Sequence, residues 1–80
     1  MYKLQFVNAF TQEIIREVEY HDRTYINKFL GILESADEDL IIFDNKMNYY
    51  TARYLSHAIV HDGYTMIYRV LFKTKQTSKN

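Results

Sequence analysis

His57 and His61, four residues apart, are the first residues whose types and spacing suggest chemistry. On a helix this spacing would place both imidazoles on one face, where they could bind a metal ion. The surrounding residues instead predict a strand, on which the two rings lie about 13 Å apart at about 3.3 Å per residue. Zinc–nitrogen bonds are only about 2.0–2.1 Å long. We therefore predict no metal site.

Patterns for catalysis or cofactor binding are also missing from the sequence. The acidic stretch between residues 34 and 39 is polar and lacks the apolar surroundings that would tune a carboxyl group for acid–base catalysis. The serines lack the context of a nucleophile elbow. Two glycines, Gly31 and Gly63, are too few for a phosphate-binding loop. The sequence therefore predicts a protein that is not an enzyme and binds no cofactor.

Opposite charges are segregated along the chain. Residues 1–45 hold nine acids and four bases, a net charge of −5, whereas residues 46–80 hold six bases and one acid, a net charge of +5. Segregation of this kind steers association with complementary surfaces. It predicts a partner-binding protein, and self-association into a homo-oligomer is a further expectation.

Nucleic acid is an alternative partner. In the carboxyl-terminal half, tyrosines are interspersed with arginines and lysines. This pattern is typical of proteins that stack aromatic rings on unpaired nucleobases and neutralise phosphate groups. The residues concerned are Tyr49, Tyr50, Tyr54, Tyr64 and Tyr68 with Arg53, Arg69, Lys73 and Lys75. The acidic half repels the same phosphate backbone, so nucleic acid is the less favoured partner.

The elements that must position these residues begin with two predicted strands. Residues 2–6 alternate apolar and polar side chains, and Ile14 to Tyr20 forms a second such run, so the two predict a hairpin. One amphipathic helix from Leu4 to Val18 is the alternative. Within residues 24–35, polar or small side chains recur at helical spacing and apolar side chains fill the positions between them, which predicts a helix.

The acidic residues that end this helix are a candidate binding site. Acids near a helix C-terminus oppose the helix dipole, and a feature that costs stability suggests a function. The residues are Glu34, Asp37, Glu38 and Asp39. The alternative interpretation is a solvated loop.

Three antiparallel strands are predicted next. They are Leu40 to Phe43, Met47 to His61 and Tyr64 to Lys73, and Asp62 and Gly63 form a type I′ turn between the last two. That register places Leu55, His57, Ile59 and His61 on the core face. The opposite face carries a second set of candidate partner-binding residues: Tyr54, Ile67, Arg69, Leu71 and Lys73.

The order strand, strand, helix, strand, strand, strand predicts a single small α+β domain over residues 1–73, with one helix packed on a mostly antiparallel sheet. One helix covers one face of such a sheet, so the other face is free for a partner unless the amino-terminal hairpin folds over it. Residues 74–80 predict a disordered polar tail. The lack of cysteine and of long apolar runs predicts a cytoplasmic protein that does not enter a membrane.

The stretch from Phe29 to Val60 resembles the bacterial Sm-like RNA chaperone Hfq. The similarity rests on Gly31, Glu34, Ser35, Asp37, Leu40 to Phe43, Asn45, Tyr54, His57, Ala58 and Ile59. In this chain Tyr54 is displaced by one residue, Ser56 replaces the lysine of the family's Tyr-Lys-His-Ala-Ile motif, and Asp39 stands where the family has a stacking aromatic. The resemblance implies an RNA binder, and its fold requires residues 25–35 to form a strand.

We therefore predict a small non-enzymatic protein-binding module, a regulator or inhibitor that covers a surface of a larger protein. The alternative is an Sm-like RNA or single-stranded nucleic-acid-binding protein.

Overall fold

The computed structural model describes residues 1–36 and 38–76. Its elements follow the predicted order: β1 (Tyr2–Asn8), β2 (Ile14–Tyr20), α1 (Thr24–Ser35), β3 (Leu40–Phe43), β4 (Tyr49–Asp62) and β5 (Thr65–Gln76). The amino-terminal segment is thus a hairpin, as predicted, and not the alternative helix. The first three residues of the predicted disordered tail, 74–76, belong to strand β5, so that part of the prediction is wrong. Asp37 and residues 77–80 lie outside the described residues.

The strands form one sheet in the order β2-β1-β5-β4-β3. Strands β1 and β2, β3 and β4, and β4 and β5 pair in antiparallel fashion. Strand β1 pairs with β5 in parallel, from Tyr2 opposite Met66 to Asn8 opposite Phe72. The fold is therefore α+β with a mixed sheet, and the predicted mostly antiparallel arrangement is only partly correct.

Helix α1 packs on one face of this sheet. Ile26, Leu30 and Leu33 are buried because their spacing of three to four residues places them on one side of the helix. The sheet contributes Leu4, Ile42, Ala52, Tyr68, Val70 and Phe72 to the same core. Tyr25 and Ile32 belong to the apolar stripe of the sequence but are 69% and 61% exposed, because the stripe is wider than the contact between the helix and the sheet.

The turn between β4 and β5 differs from the prediction by one position. Asp62 pairs with Thr65, so Gly63 and Tyr64 are the two turn residues, and Gly63 has a φ of 61°. A type II′ turn needs glycine at its first central position, which this arrangement supplies. The predicted Asp62–Gly63 turn is therefore wrong. The predicted pairing of β4 with β5 is shifted by two residues from the observed one. Because side chains alternate with a period of two, the side chains near the turn still lie on the predicted faces.

A β-bulge in β4 changes the predicted faces further along the strand. Ser56 pairs with Leu71, but Tyr54 pairs with Phe72, so Leu55 is the extra residue. On the side of the bulge away from the turn, the alternation of β4 is shifted by one residue, and this reverses the predicted face of Tyr54. Tyr54 consequently lies on the helix-covered face, half-buried against the core, and its predicted place on the open face is wrong.

Asp44 organises the turn between β3 and β4. Its Oδ1 accepts hydrogen bonds from the amides of Lys46 (2.8 Å) and Asn48 (3.0 Å), and its Oδ2 accepts one from the Tyr50 hydroxyl (3.4 Å). Burial acts to raise the pKa of Asp44, but these hydrogen bonds outweigh it and hold the pKa below its ordinary value of 3.8. The ionised form of Asp44 thus stabilises this turn.

We expect Asp44→Asn to lower the free energy of unfolding at neutral pH. A carboxyl group whose pKa is depressed in the folded state stabilises the fold above its unfolded pKa, and that stabilisation is lost as the pH falls through the folded pKa. Urea unfolding between about pH 7 and about pH 2.5 should therefore show a shallower acid-side decline for Asp44→Asn than for the wild type. Equal slopes for the two proteins would contradict this role of Asp44.

Candidate partner-binding site

The face of the sheet opposite α1 carries four of the predicted partner-binding residues, Ile67, Arg69, Leu71 and Lys73. We call it the open face and define it by Lys3, Gln5 and Val7 of β1, Glu17 and Glu19 of β2, Arg53 of β4, and Ile67, Arg69, Leu71 and Lys73 of β5. The pairing of β1 with β5 sets Ile67 beside Lys3, Arg69 beside Gln5 and Leu71 beside Val7. Val7 and Gln5 are buried, and Ile67, Arg69 and Leu71 are half-buried. The centre of the open face is therefore partly apolar.

The Arg69 guanidinium lies in this centre with one nitrogen unsatisfied. Its Nε is shielded from solvent and makes no hydrogen bond within the described part of the chain. The nearest candidate acceptor on β2, the Glu17 carboxylate, lies on the far side of Gln5 and accepts a hydrogen bond of 2.7 Å from the Gln5 amide. A buried polar group left without a partner costs about 1–3 kcal/mol. Because the Nε has almost no accessible surface, an acceptor from another molecule can reach only the atoms that the half-buried Arg69 side chain leaves exposed.

An acidic strand lies on the other side of β1. The Lys3 ammonium lies 3.5 Å from the Glu17 carboxylate and 3.9 Å from that of Glu19. Sequence reasoning missed this network, although the alternation of Glu17 and Glu19 opposite Lys3 and Gln5 in the predicted hairpin carried its signal. One cation between two carboxylates leaves the edge at β2 acidic.

A basic corner occupies the opposite end of the open face. Arg53 is paired directly with Lys73, so two like charges lie side by side. The Asp39 carboxylate accepts a hydrogen bond of 3.0 Å from Arg53 Nε and offsets part of this charge. A shallow pocket of about 230 Å³ lies here, lined by Asp39, Thr51, Arg53, Lys73, Thr74 and Lys75. The corner suits an anionic group.

The predicted acidic site does not form one surface. Glu34 lies 3.9 Å from His57 Nδ1 beside the helix-covered face, whereas Asp39 lies with Arg53 in the basic corner. Glu38 is exposed, and Asp37 lies outside the described residues. The chain turns between the end of α1 and β3, and this separates acids that are close in sequence.

Tyr54 links residues on both sides of the bulge. Its hydroxyl oxygen lies 2.8 Å from His57 Nδ1, and the two rings are stacked. Burial, followed by the nearby charge of Glu34, raises the pKa of Tyr54, so its phenol stays neutral. These contacts indicate that Tyr54 stabilises β4 at the bulge.

The tyrosines predicted to act with the arginines and lysines do not lie together on one surface. Tyr68 is buried in the core and Tyr64 is fully exposed at the tip of the hairpin. Tyr49 follows the alternation of β4 onto the same face as Arg53, and its ring lies 5.8 Å from that of Phe43. The fold implied by the resemblance to Hfq is also wrong, because Thr24–Ser35 is helical and not a strand.

A groove of about 360 Å³ on the helix side has no counterpart in the predictions from sequence. Its apolar walls come from β1, β2, α1 and β3 and include Phe6, Val18, Phe29 and Ile42, with Arg16 also lining it. Strands β2 and β3 are the two edges of the sheet. Because both line one groove, the sheet must curl around the helix.

Comparisons of the chain with protein-family models, with curated proteins and with solved structures found no match. Among the described residues, no group of three or more His, Asp or Glu side chains is arranged to hold a metal ion. Within residues 1–36 and 38–76, no helix is both long enough and apolar enough to cross a membrane. A functional assignment must therefore rest on the geometry of the open face.

Proposed function

We propose that this protein is a small non-enzymatic protein-binding module, a regulator or inhibitor that covers a surface of a larger protein with its open face. The observation that carries this proposal is Arg69, whose Nε is buried in the centre of that face without a hydrogen-bond partner among residues 1–36 and 38–76. Buried polar groups in native structures are nearly always paired. A protein that brings a carboxylate to the exposed atoms of the half-buried Arg69 side chain would neutralise its charge.

The residues around Arg69 suit a protein surface. Arginine forms two parallel hydrogen bonds with a carboxylate, which fixes the orientation of the partner as well as adding affinity. Ile67 and Leu71 flank Arg69 on the same strand and offer apolar area. Arginine surrounded by such area is a common centre of binding energy in protein interfaces, while Lys73 and Arg53 increase the rate of association with an acidic partner.

We expect Arg69→Met to abolish partner binding without loss of stability. Methionine keeps the length and apolar volume of the side chain but removes the charge, a replacement that is often neutral or stabilising in a buried setting. Tagged wild type, Arg69→Met and the control Arg23→Met should be compared by capture from lysate and mass spectrometry. The wild type and the control should retain the same proteins, and Arg69→Met should lose them. Equal retention by all three would contradict the proposal.

The alternative function, binding of RNA or single-stranded nucleic acid, draws on the basic corner. Arg53, Lys73 and Lys75 surround the pocket there, and Tyr49 lies on the same face as Arg53. Phosphate contacts would make such binding strongly dependent on salt. In the capture experiment, proteins that disappear after nuclease treatment would favour this alternative, and proteins that remain would favour the protein-binding module.

A further inference from the structure

We infer that a second copy of this chain binds the open face and forms a two-fold dimer in which β2 of each copy lies over β5 of the other. The inference rests on the proposed function in one respect, since it uses the same face, and it names one occupant of that face. It is carried by the arrangement of charges around β1.

Acidic and basic residues flank β1 at the same level. Gln5 pairs with Glu17 on one side and with Arg69 on the other. Lys3 likewise pairs with Glu19 on one side and Ile67 on the other. All of these side chains lie on the open face because neighbouring residues in paired strands point the same way. Acidic β2 and basic β5 are therefore equidistant from β1.

A two-fold axis parallel to the strands and above β1 exchanges these two strands. It places Glu17 of one copy over Arg69 of the other, and symmetry repeats the contact. The half-buried Arg69 side chain then meets a carboxylate through the atoms that the single copy leaves exposed. Glu17 keeps its bond from Gln5, since a carboxylate accepts up to about four hydrogen bonds.

The opposite orientation is disfavoured by charge. An axis perpendicular to the strands would place β5 over β5, with Arg69 and Lys73 of both copies close together. Like charges brought together in an interface cost affinity and disfavour that arrangement. The axis parallel to the strands brings only Lys3 of the two copies together, and each Lys3 lies 3.5 Å from Glu17 and 3.9 Å from Glu19 of its own copy. The charge pattern thus selects one of the two ways in which the open faces can meet.

The size of the contact predicts a weak and salt-dependent dimer. Three strands spaced at about 4.8 Å make a narrower patch than a standard stable interface offers. Attraction between partly exposed charges is screened over about 10 Å at 0.1 M salt. A dimer of this strength leaves the open face accessible to a larger partner, which would compete with the second copy.

Sedimentation of the purified full chain at different salt concentrations is the first test. We expect dimers at about 0.05 M NaCl and a dissociation constant at least about tenfold higher at about 0.5 M NaCl. A wild type that stays monomeric at low salt would overturn the inference. The proposed function would survive that result, because it fails only if Arg69→Met retains the captured proteins.

Two charge-reversal variants test the pairing itself. In Arg69→Glu two carboxylates would face each other across the interface, and in Glu17→Arg two guanidinium groups would, so each variant alone should be monomeric. In an equimolar mixture, a doubly acidic Arg69→Glu copy meets a doubly basic Glu17→Arg copy, and opposite charges face each other at both symmetry-related positions. The mixture should therefore dimerise. The variant Arg23→Glu, which changes a charge away from the open face, should dimerise like the wild type.

Circular dichroism of each variant separates loss of pairing from loss of fold. If either charge-reversal variant unfolds, the variants Arg69→Gln and Glu17→Gln are used in place of the two charge-reversal variants. Each glutamine variant should form a weaker dimer than the wild type, with a smaller dependence on salt. Dimers of unchanged strength in both glutamine variants, or in both charge-reversal variants alone, would overturn the inference.

Discussion

Phe72→Ala is expected to lower the free energy of unfolding by about 3–5 kcal/mol, the range for removal of a buried phenylalanine. Phe72 is fully buried in β5 between β1 and β4. Its ring meets that of Phe6 edge to face at 5.7 Å and that of Tyr54 at 6.4 Å. Its removal therefore leaves a cavity where both neighbouring strands join β5.

Urea unfolding measures this effect, with Phe10→Ala as the matched control. Phe10 undergoes the same chemical change, but it is 74% exposed. Its replacement should alter the free energy of unfolding by no more than about 0.5 kcal/mol. A loss below about 1 kcal/mol for Phe72→Ala would show that the core does not centre on β5.

Leu30→Ala is expected to cost about 2–5 kcal/mol, enough to unfold much of so small a domain. Leu30 is buried at the contact between α1 and the sheet. Ile32→Ala on the same helix is the control, since Ile32 is exposed and alanine has the higher helix propensity. Phe29→Ala should fall between them, because Phe29 is half-buried against Phe6.

Equal losses for Leu30→Ala and Ile32→Ala would contradict the assigned helix face. The comparison isolates packing, because both variants change helix propensity in a known direction. Circular dichroism at low urea would also report whether α1 unfolds separately from the sheet.

The local elements can be read from the sequence because their signals are local. The alternation from Tyr2 to Phe6 predicts β1, and the polar positions between Thr24 and Ser35 predict α1. The apolar run Leu40–Phe43 predicts β3 with both of its limits correct. In each case the period of the apolar residues matches the geometry of the element.

The features that escape prediction depend on contacts far apart in sequence. The parallel pairing of β1 with β5 joins Tyr2 to Met66 across most of the chain, and no periodicity encodes it. The bulge at Leu55 has no glycine or proline to mark it, yet it moves Tyr54 to the core face. Gly63 marks a turn correctly, but its sequence does not settle which position of the turn it occupies.

The candidate site shows the same division. Alternation along one strand near a recognisable turn is enough to assign Ile67, Arg69 and Leu71 to the open face. The unsatisfied Arg69 Nε could not be foreseen, since it depends on Gln5 lying between Arg69 and Glu17. The dispersal of the acids that follow α1 likewise depends on how the chain leaves that helix.

The parallel alignment of β1 with β5 also determines how the domain would respond to force. A pull on the start of β1 and the end of β5 acts in opposite directions along two strands that lie side by side. The seven residue pairs from Tyr2–Met66 to Asn8–Phe72 would then be loaded together in shear and could not be unzipped one after another. The hairpin of β4 and β5, pulled apart from its open ends, would unzip instead. The force needed to unfold this domain should therefore be high when it is pulled by the start of β1 and the end of β5, whatever its free energy of unfolding.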